Sequence, residues 1–220
     1  YQPDIFYPSG WNLAFSAFPP IHPALAAPMT AALGAVRTYN LFVMFTCVVA
    51  AYGIYLMVKI LDGNTWGAVF AGIAFAFYPQ RAVYLGGHLN FLVGTMWLPW
   101  LFYGLIRARQ ATRRRTAWMA FAGFSFAMTI GGSWHFLFLS SIGFSIFAIV
   151  YLWADLHDGE RRSDWIWPSI AFLLTAIVVI GPFLLNAYSA RAQLGDNAFF
   201  DFASTNRTSV SLERFLIPSA

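Results

Sequence analysis

Residues 41–58 read LFVMFTCVVAAYGIYLMV, an apolar stretch without a single charged side chain. A helix of about 20 such residues crosses the ~30 Å hydrocarbon core of a bilayer. The whole chain has the same character, because 59% of its 220 residues are hydrophobic, 10% are charged and its mean hydropathy is +0.61. Soluble domains carry roughly a quarter charged residues. The sequence therefore predicts an integral membrane protein.

Similar apolar stretches follow, each with its charged residues at the ends. We predict an all-α polytopic transmembrane bundle of about six spans: 41–58, 66–85, 89–106, 116–132, 135–153 and 167–188. The fourth and fifth spans belong to one apolar region, which as a single helix would rise about 57 Å at ~1.5 Å per residue. That length overshoots one bilayer, and two adjacent glycines weaken helix in its middle. We therefore predict a turn at 131–135.

The two ends of the chain differ from the transmembrane domain predicted for residues 41–188. Residues 1–40 contain six prolines, which break helices in their interior, and predict an extracytoplasmic loop. Within it, the charge-free residues 23–36 predict a short helix at the membrane surface. Residues 189–220 predict a second extracytoplasmic loop. We expect the chain to be part of a longer protein, because it starts without methionine and ends within this loop.

Lysine and arginine are distributed unevenly between alternate connections. Eight lie in the three short connections after the first, third and fifth spans, whereas five are spread over the other, longer segments. Cytoplasmic loops retain Lys and Arg, so we predict that the three short connections face the cytoplasm. The membrane that we predict is the inner (plasma) membrane of the cell. Tryptophans cluster at the same span ends, as interfacial aromatic residues do.

Several kinds of partner receive no support. The net charge of +4 is explained by the loop bias, and we predict no nucleic-acid partner. Cys47 is the only cysteine and lies inside an apolar run, so no disulfide within the chain is expected. The histidines show none of the spacings of metal ligands, and no metal site is predicted from them.

Six short motifs follow one another in a characteristic order. They are YPSGWNL at 7–13, GAVRTYN at 34–40, AAYGIYL at 50–56, AGIAFAFYP at 71–79, GHLN at 87–90 and SLERFLIPS at 211–219. They are distributed from residue 7 to residue 219, so the resemblance extends over most of the chain. In this order they resemble bacterial polytopic membrane proteins of the GT-C glycosyltransferase type. The resemblance implies a transferase that moves a sugar from a polyprenyl-phosphate carrier to an extracytoplasmic acceptor and uses an extracytoplasmic carboxylate. Its partners would be membrane lipid and a lipid-linked sugar.

Glycosyl transfer needs a carboxylate, as a base or as a ligand of a divalent metal ion, and cationic groups that neutralise the leaving phosphate. The candidate catalytic acids on the predicted outer side are Asp4 and Asp201. The candidate substrate-binding residues are Arg81, His88 and Arg207. A divalent metal ion is the only cofactor that this chemistry suggests. For each of these residues the competing interpretation is a solvated loop residue or an anchor at the membrane interface.

Two other functions stay open at this stage. The chain could be a non-catalytic subunit whose small and aromatic residues pack against other membrane subunits. It could also be a transporter, which would have spans broken by Gly or Pro with buried charge at mid-depth. Pro99 and Gly181-Pro182 are such breaks, but no charged residue lies beside them in the sequence.

Overall fold

The computed structural model describes residues 21–61, 63–111, 113–133, 135–157 and 162–194. Within these ranges all regular structure is helical and no strand occurs, which confirms the all-α prediction. The helices are α1 (Ile21–Leu33), α2 (Ala35–Ile60), α3 (Thr65–Ala76), α4 (Pro79–Tyr84), α5 (Leu89–Gln110), α6 (Arg115–Ile130), α7 (His135–His157) and α8 (Ile166–Leu194), the last preceded by a 3-10 turn (Arg162–Trp165).

Three of the described helices are long and apolar enough to cross a membrane. They are α2, α5 and the part of α8 over Ile166–Asn186, and they correspond to the predicted spans 41–58, 89–106 and 167–188. The other three predicted spans fall on shorter pieces. Helix α6 has 16 residues, and the apolar part of α7 covers His135–Val150.

The predicted span 66–85 is wrong as a single helix, because the structure divides it into α3 and α4. Proline disfavours the helical conformation of the residue before it, and Tyr78, before Pro79, is extended with φ −61° and ψ 153°. The predicted loop 1–40 also ends earlier than expected, since α2 begins at Ala35. The short helix predicted at 23–36 exists as α1. Gly34, with φ 79°, makes the bend between α1 and α2.

Contacts between the helices fix their relative directions. Along α2 and α5, Val49 accepts a hydrogen bond from Trp100 and Ile60 accepts one from Gln110, so these two helices run parallel. Helix α6 runs against α5, because Gly104 packs on Ala122 and the Arg107 guanidinium lies 5.1 Å from the Trp118 ring centroid. Helix α3 likewise runs against α2.

The predicted turn at 131–135 is confirmed as a reversal of the chain. Helix α6 ends at Ile130 and α7 begins at His135. Beside α5, the rings of Phe136 and Phe91 lie 6.0 Å apart, and those of Phe147 and Phe102 lie 5.5 Å apart. Helix α7 therefore follows the direction of α5 and runs opposite to α6.

These directions give the bundle two unlike ends. At one end, which we call the basic end, lie the last residues of α2, α5 and α7, with the described Lys and Arg residues that were predicted to be cytoplasmic. At the other, which we call the capped end, the short helices α1 and α4 and the turn at 131–133 close over the bundle. The sequence thus predicts correctly which connections share an end.

Helix α6 packs closely on α8 through a glycine. A Cβ atom on Gly123 would overlap the carbonyl oxygen of Phe172 on α8. Gly143 on α7 differs, because its nearest neighbour would be the Phe102 ring at 3.6 Å, an ordinary contact distance. The α6–α8 contact at Gly123 therefore excludes a side chain, whereas the α7–α5 contact at Gly143 does not.

Gly123→Ala should destabilise the protein, and Gly143→Ala should not. Both changes favour helix by about 1 kcal/mol, but overpacking at position 123 costs ~1–3 kcal/mol and separates two helices. Thermal unfolding in detergent should show a lower midpoint for Gly123→Ala than for Gly143→Ala. Equal midpoints would contradict the close α6–α8 contact.

Candidate functional site

The break between α3 and α4 turns one arginine into the bundle. Helix α4 begins at Pro79, and Arg81 on its first turn is 0% exposed, the largest fully buried side chain among the described residues. A buried charge is very costly unless hydrogen bonds replace its water. The surroundings of Arg81 therefore have to supply acceptors for the whole guanidinium group.

Five hydrogen bonds from Arg81 reach three other segments. Its Nε donates to the carbonyl oxygen of Ala76 at the end of α3, at 3.2 Å. Its Nη1 donates to the Leu92 carbonyl at 3.2 Å and to the Thr95 hydroxyl, both on α5. Its Nη2 donates to the Thr46 carbonyl at 3.2 Å and to the Thr46 hydroxyl at 3.4 Å, both on α2.

Each of the three guanidinium nitrogens thus donates to at least one acceptor within the bundle. In this arrangement no donor of Arg81 points to a ligand. Arg81 instead joins α2, the end of α3 and the start of α5 at the capped end. It is a positioning residue here, and its proposed contact with a substrate phosphate stays a prediction.

A groove of about 190 Å³ lies beside this junction, between α1 and α2. Its walls are mostly apolar, and Leu89, the first residue of α5, contributes to them. The residues that line it are His22, Pro23, Ala26, Thr30, Ala35, Thr38, Tyr39, Phe42 and Leu89. The groove has roughly the volume of six water molecules at ~30 Å³ each, enough for a segment of an alkyl or prenyl chain.

His22 holds α1 in place at one end of the groove. The side chain is 1% exposed; its Nδ1 donates to the Gly131 carbonyl at 2.9 Å, and its Nε2 accepts from the Trp97 indole at 3.3 Å. Burial lowers the pKa of His22 to about 4, against a smaller raising effect of the bond to Gly131. A neutral imidazole is consistent with one donating and one accepting nitrogen.

Thr38 offers the groove an unused polar group. The residue is 4% exposed, and its hydroxyl oxygen is buried without a hydrogen-bond partner among the described residues. Helical threonines commonly bond the carbonyl one turn earlier, as Thr30 does to Ala26 on the opposite wall at 3.0 Å. A buried hydroxyl without a partner is unfavourable, so the Thr38 hydroxyl is available to donate to a ligand that reaches it.

His88 lies next to the groove but is exposed. It precedes Leu89 at the start of α5, and its ring meets Tyr84 and Phe91 edge-on, with centroids 6.0 Å apart in both pairs. His135, at the start of α7, packs on the other side of this cluster, 5.9 Å from Phe91. In the described part of the chain, no group of three or more His, Cys, Asp or Glu residues could hold a metal ion.

The remaining candidates, Asp4, Asp201 and Arg207, lie outside the described residues. The positions of the acids in the sequence limit where a catalytic carboxylate can lie. Between residues 21 and 194 the acids are Asp62, Asp155, Asp158, Glu160 and Asp164, and all of these follow α2 or come late in α7 and in the connection to α8. Any carboxylate of this chain that acts at the capped end must come from residues 1–20 or 195–220.

Comparison with protein-family models, with curated proteins and with solved structures found no match to this chain.

Arg81→Lys should lower the free energy of unfolding by about 3 kcal/mol or more, because a hydrogen bond from a charged donor contributes ~1.5–3 kcal/mol and lysine cannot make all five. Arg37→Lys on the exposed face of α2 is the matched control and should change it by less than ~0.5 kcal/mol. Thermal unfolding in detergent measures both. A wild-type midpoint for Arg81→Lys would contradict the positioning role.

Proposed function

We propose that this chain is the membrane part of a glycosyltransferase that uses a lipid-linked sugar, similar to the GT-C type. The observation that carries the proposal is the apolar groove at the capped end, with the unpartnered Thr38 hydroxyl in its wall. A polyprenyl phosphate combines an apolar chain with phosphate oxygens that accept hydrogen bonds. The groove suits such a molecule in both respects.

The proposal includes six membrane crossings. Helices α2 and α5 have crossing length and run in the same direction. The chain must therefore return across the bilayer between them, and α3 with α4 is the only segment that can do so. Helix α6 lies antiparallel along α5, from Gly132 beside Gly94 to Trp118 beside Arg107, and must cross with it. Helix α7 then returns the chain to the start of α8.

The lipid carrier would enter from the membrane and end at the capped end. Its first isoprene units would lie against Phe42 and Leu89, and a phosphate oxygen would accept a hydrogen bond from Thr38. His88 follows directly at the rim, where the aromatic rings of Tyr84 and Phe91 offer a surface for the sugar. Arg207 is the cation that we assign to the leaving phosphate, because the donors of Arg81 are already in use.

The reaction is a displacement at the anomeric carbon of the sugar. The carboxylate of Asp4 or Asp201 takes the proton from an acceptor hydroxyl. At the same time the oxygen of that hydroxyl forms a bond to the anomeric carbon. The bond between the carbon and the phosphate oxygen breaks, and polyprenyl phosphate leaves with the electron pair. The carboxylate that does not act as the base would hold a divalent cation, which would stabilise the leaving phosphate.

A transporter is the second candidate, and one observation favours it. A broken helix with a buried charge beside the break is typical of transporters, and Arg81 follows the break between α3 and α4. Against this, the guanidinium nitrogens of Arg81 already donate to helix carbonyls and threonine hydroxyls, and not to a transported anion. The glycosyltransferase is therefore the function that we prefer.

Thr38→Val should weaken binding of a polyprenyl phosphate by roughly tenfold, because it removes a hydrogen bond to a charged group but keeps the side-chain shape. The measurement is equilibrium binding of a short-chain polyprenyl phosphate to the detergent-purified protein. Thr30→Val is the matched control, since Thr30 lines the same groove but its hydroxyl already bonds to Ala26.

Three results would count against the proposal. Binding that is equal in the wild type and in Thr38→Val would remove the phosphate contact. If the uncharged prenol bound as tightly as the polyprenyl phosphate, the groove would recognise only the apolar chain and not the phosphate. Absence of any binding would favour the non-catalytic subunit.

A further inference from the structure

Two arginine–tryptophan pairs form a second polar cluster at the basic end, far along the bundle from the groove. The Arg107 guanidinium, on the last turn of α5, lies 5.1 Å from the ring centroid of Trp118. The Arg115 guanidinium, at the start of α6, lies 4.5 Å from that of Trp165. Cations over tryptophan faces are held by the quadrupole of the ring.

A backbone contact ties the two pairs together. The Nε of Arg115 donates to the carbonyl oxygen of Ala108, the residue after Arg107, at 3.3 Å. Trp118 and Trp165 also pack against one hydrophobic cluster, which includes Ala108 and Met119. We call this unit of Arg107, Ala108, Arg115, Trp118 and Trp165 the Arg–Trp cluster.

Two donors of the Arg–Trp cluster have no acceptor in the part of the chain that the structure describes. They are the Nε of Arg107 and the indole Nε1 of Trp165, and both atoms are buried. A buried N–H group without a partner is unfavourable, and both missing partners are acceptors. The connection between α5 and α6 carries Arg113 and Arg114, whereas no acid occurs between residues 63 and 154. Asp164 directly precedes Trp165 in the sequence, and the arginines of the unit and of this connection outnumber it. An acceptor with negative charge therefore fits best.

We propose that the Arg–Trp cluster binds the headgroup of an anionic phospholipid. Tryptophan and arginine at the ends of α5, α6 and α8 stand where the headgroup region of the bilayer is expected. Phosphate oxygens of the headgroup accept hydrogen bonds from Arg107 and Trp165, and the surplus of arginines favours a net negative headgroup over a zwitterionic one. This inference does not rest on the proposed function, because the site lies at the opposite end of the bundle.

The test is lipid binding to the purified full chain, measured by native mass spectrometry with phosphatidylglycerol and, as a reference, phosphatidylcholine. Arg107→Lys keeps the positive charge but removes the Nε donor. Trp165→Phe keeps an aromatic ring for Arg115 but removes the indole N–H. Each should weaken phosphatidylglycerol binding about five- to tenfold without a change in thermal unfolding of the lipid-free protein.

Arg114→Gln is the control, because it removes a full charge from an exposed side chain of the same connection. It should weaken binding less than twofold. The proposal is overturned if Arg114→Gln has as large an effect as Arg107→Lys, since the attraction would then be diffuse. It is also overturned if both donor variants bind like the wild type, or if phosphatidylcholine binds as tightly. Displacement of the lipid by millimolar inorganic phosphate would assign the site to free phosphate instead.

Discussion

The buried guanidinium of Arg81 is the constraint on which the capped end depends. A positive charge removed from water is tolerated only when every donor finds an acceptor, and the acceptors come from α2, α3 and α5. These three helices can approach one another in only a few ways that leave the five hydrogen bonds intact. The position of α2 relative to α5 in turn sets the floor and one wall of the groove, with Phe42 on one helix and Leu89 on the other.

The two ends of the bundle are built by different means. The capped end closes with short helices and with hydrogen bonds between distant residues, such as His22 to Gly131 and Trp97 to His22. The basic end is formed by arginines over tryptophan rings at the points where long helices begin and stop. Among the described residues, the capped end thus offers a ligand an apolar groove and the unpaired Thr38 hydroxyl, whereas the basic end offers charge.

Much of the fold could be predicted from the sequence, because length and charge decide where an apolar helix can cross a bilayer. The spans 41–58, 89–106 and 167–188 and the reversal at Gly131-Gly132 were visible in this way. The division of the predicted span 66–85 into α3 and α4 had a signal in the sequence, the dipeptide Tyr78-Pro79. A prediction from hydropathy alone does not detect this break. The hydrogen-bond partners of Arg81 had no signal in the sequence. Thr46 and Thr95 lie on other helices and come close to Arg81 only when the helices pack. His22 and Thr38 were missed as site residues for the same reason, since their roles depend on how α1 folds against α2.

We infer that the capped end and the basic end lie on opposite sides of a membrane, with the basic end in the cytoplasm. The most direct test is thiol labelling of intact cells with a membrane-impermeant maleimide, in a Cys47→Ala background. The variants are His88→Cys at the capped end and Gln110→Cys at the basic end, both at exposed positions. Position 88 should be labelled in intact cells, and position 110 only after permeabilisation. Labelling of position 110 from outside, or equal labelling of both positions in intact cells, would contradict it.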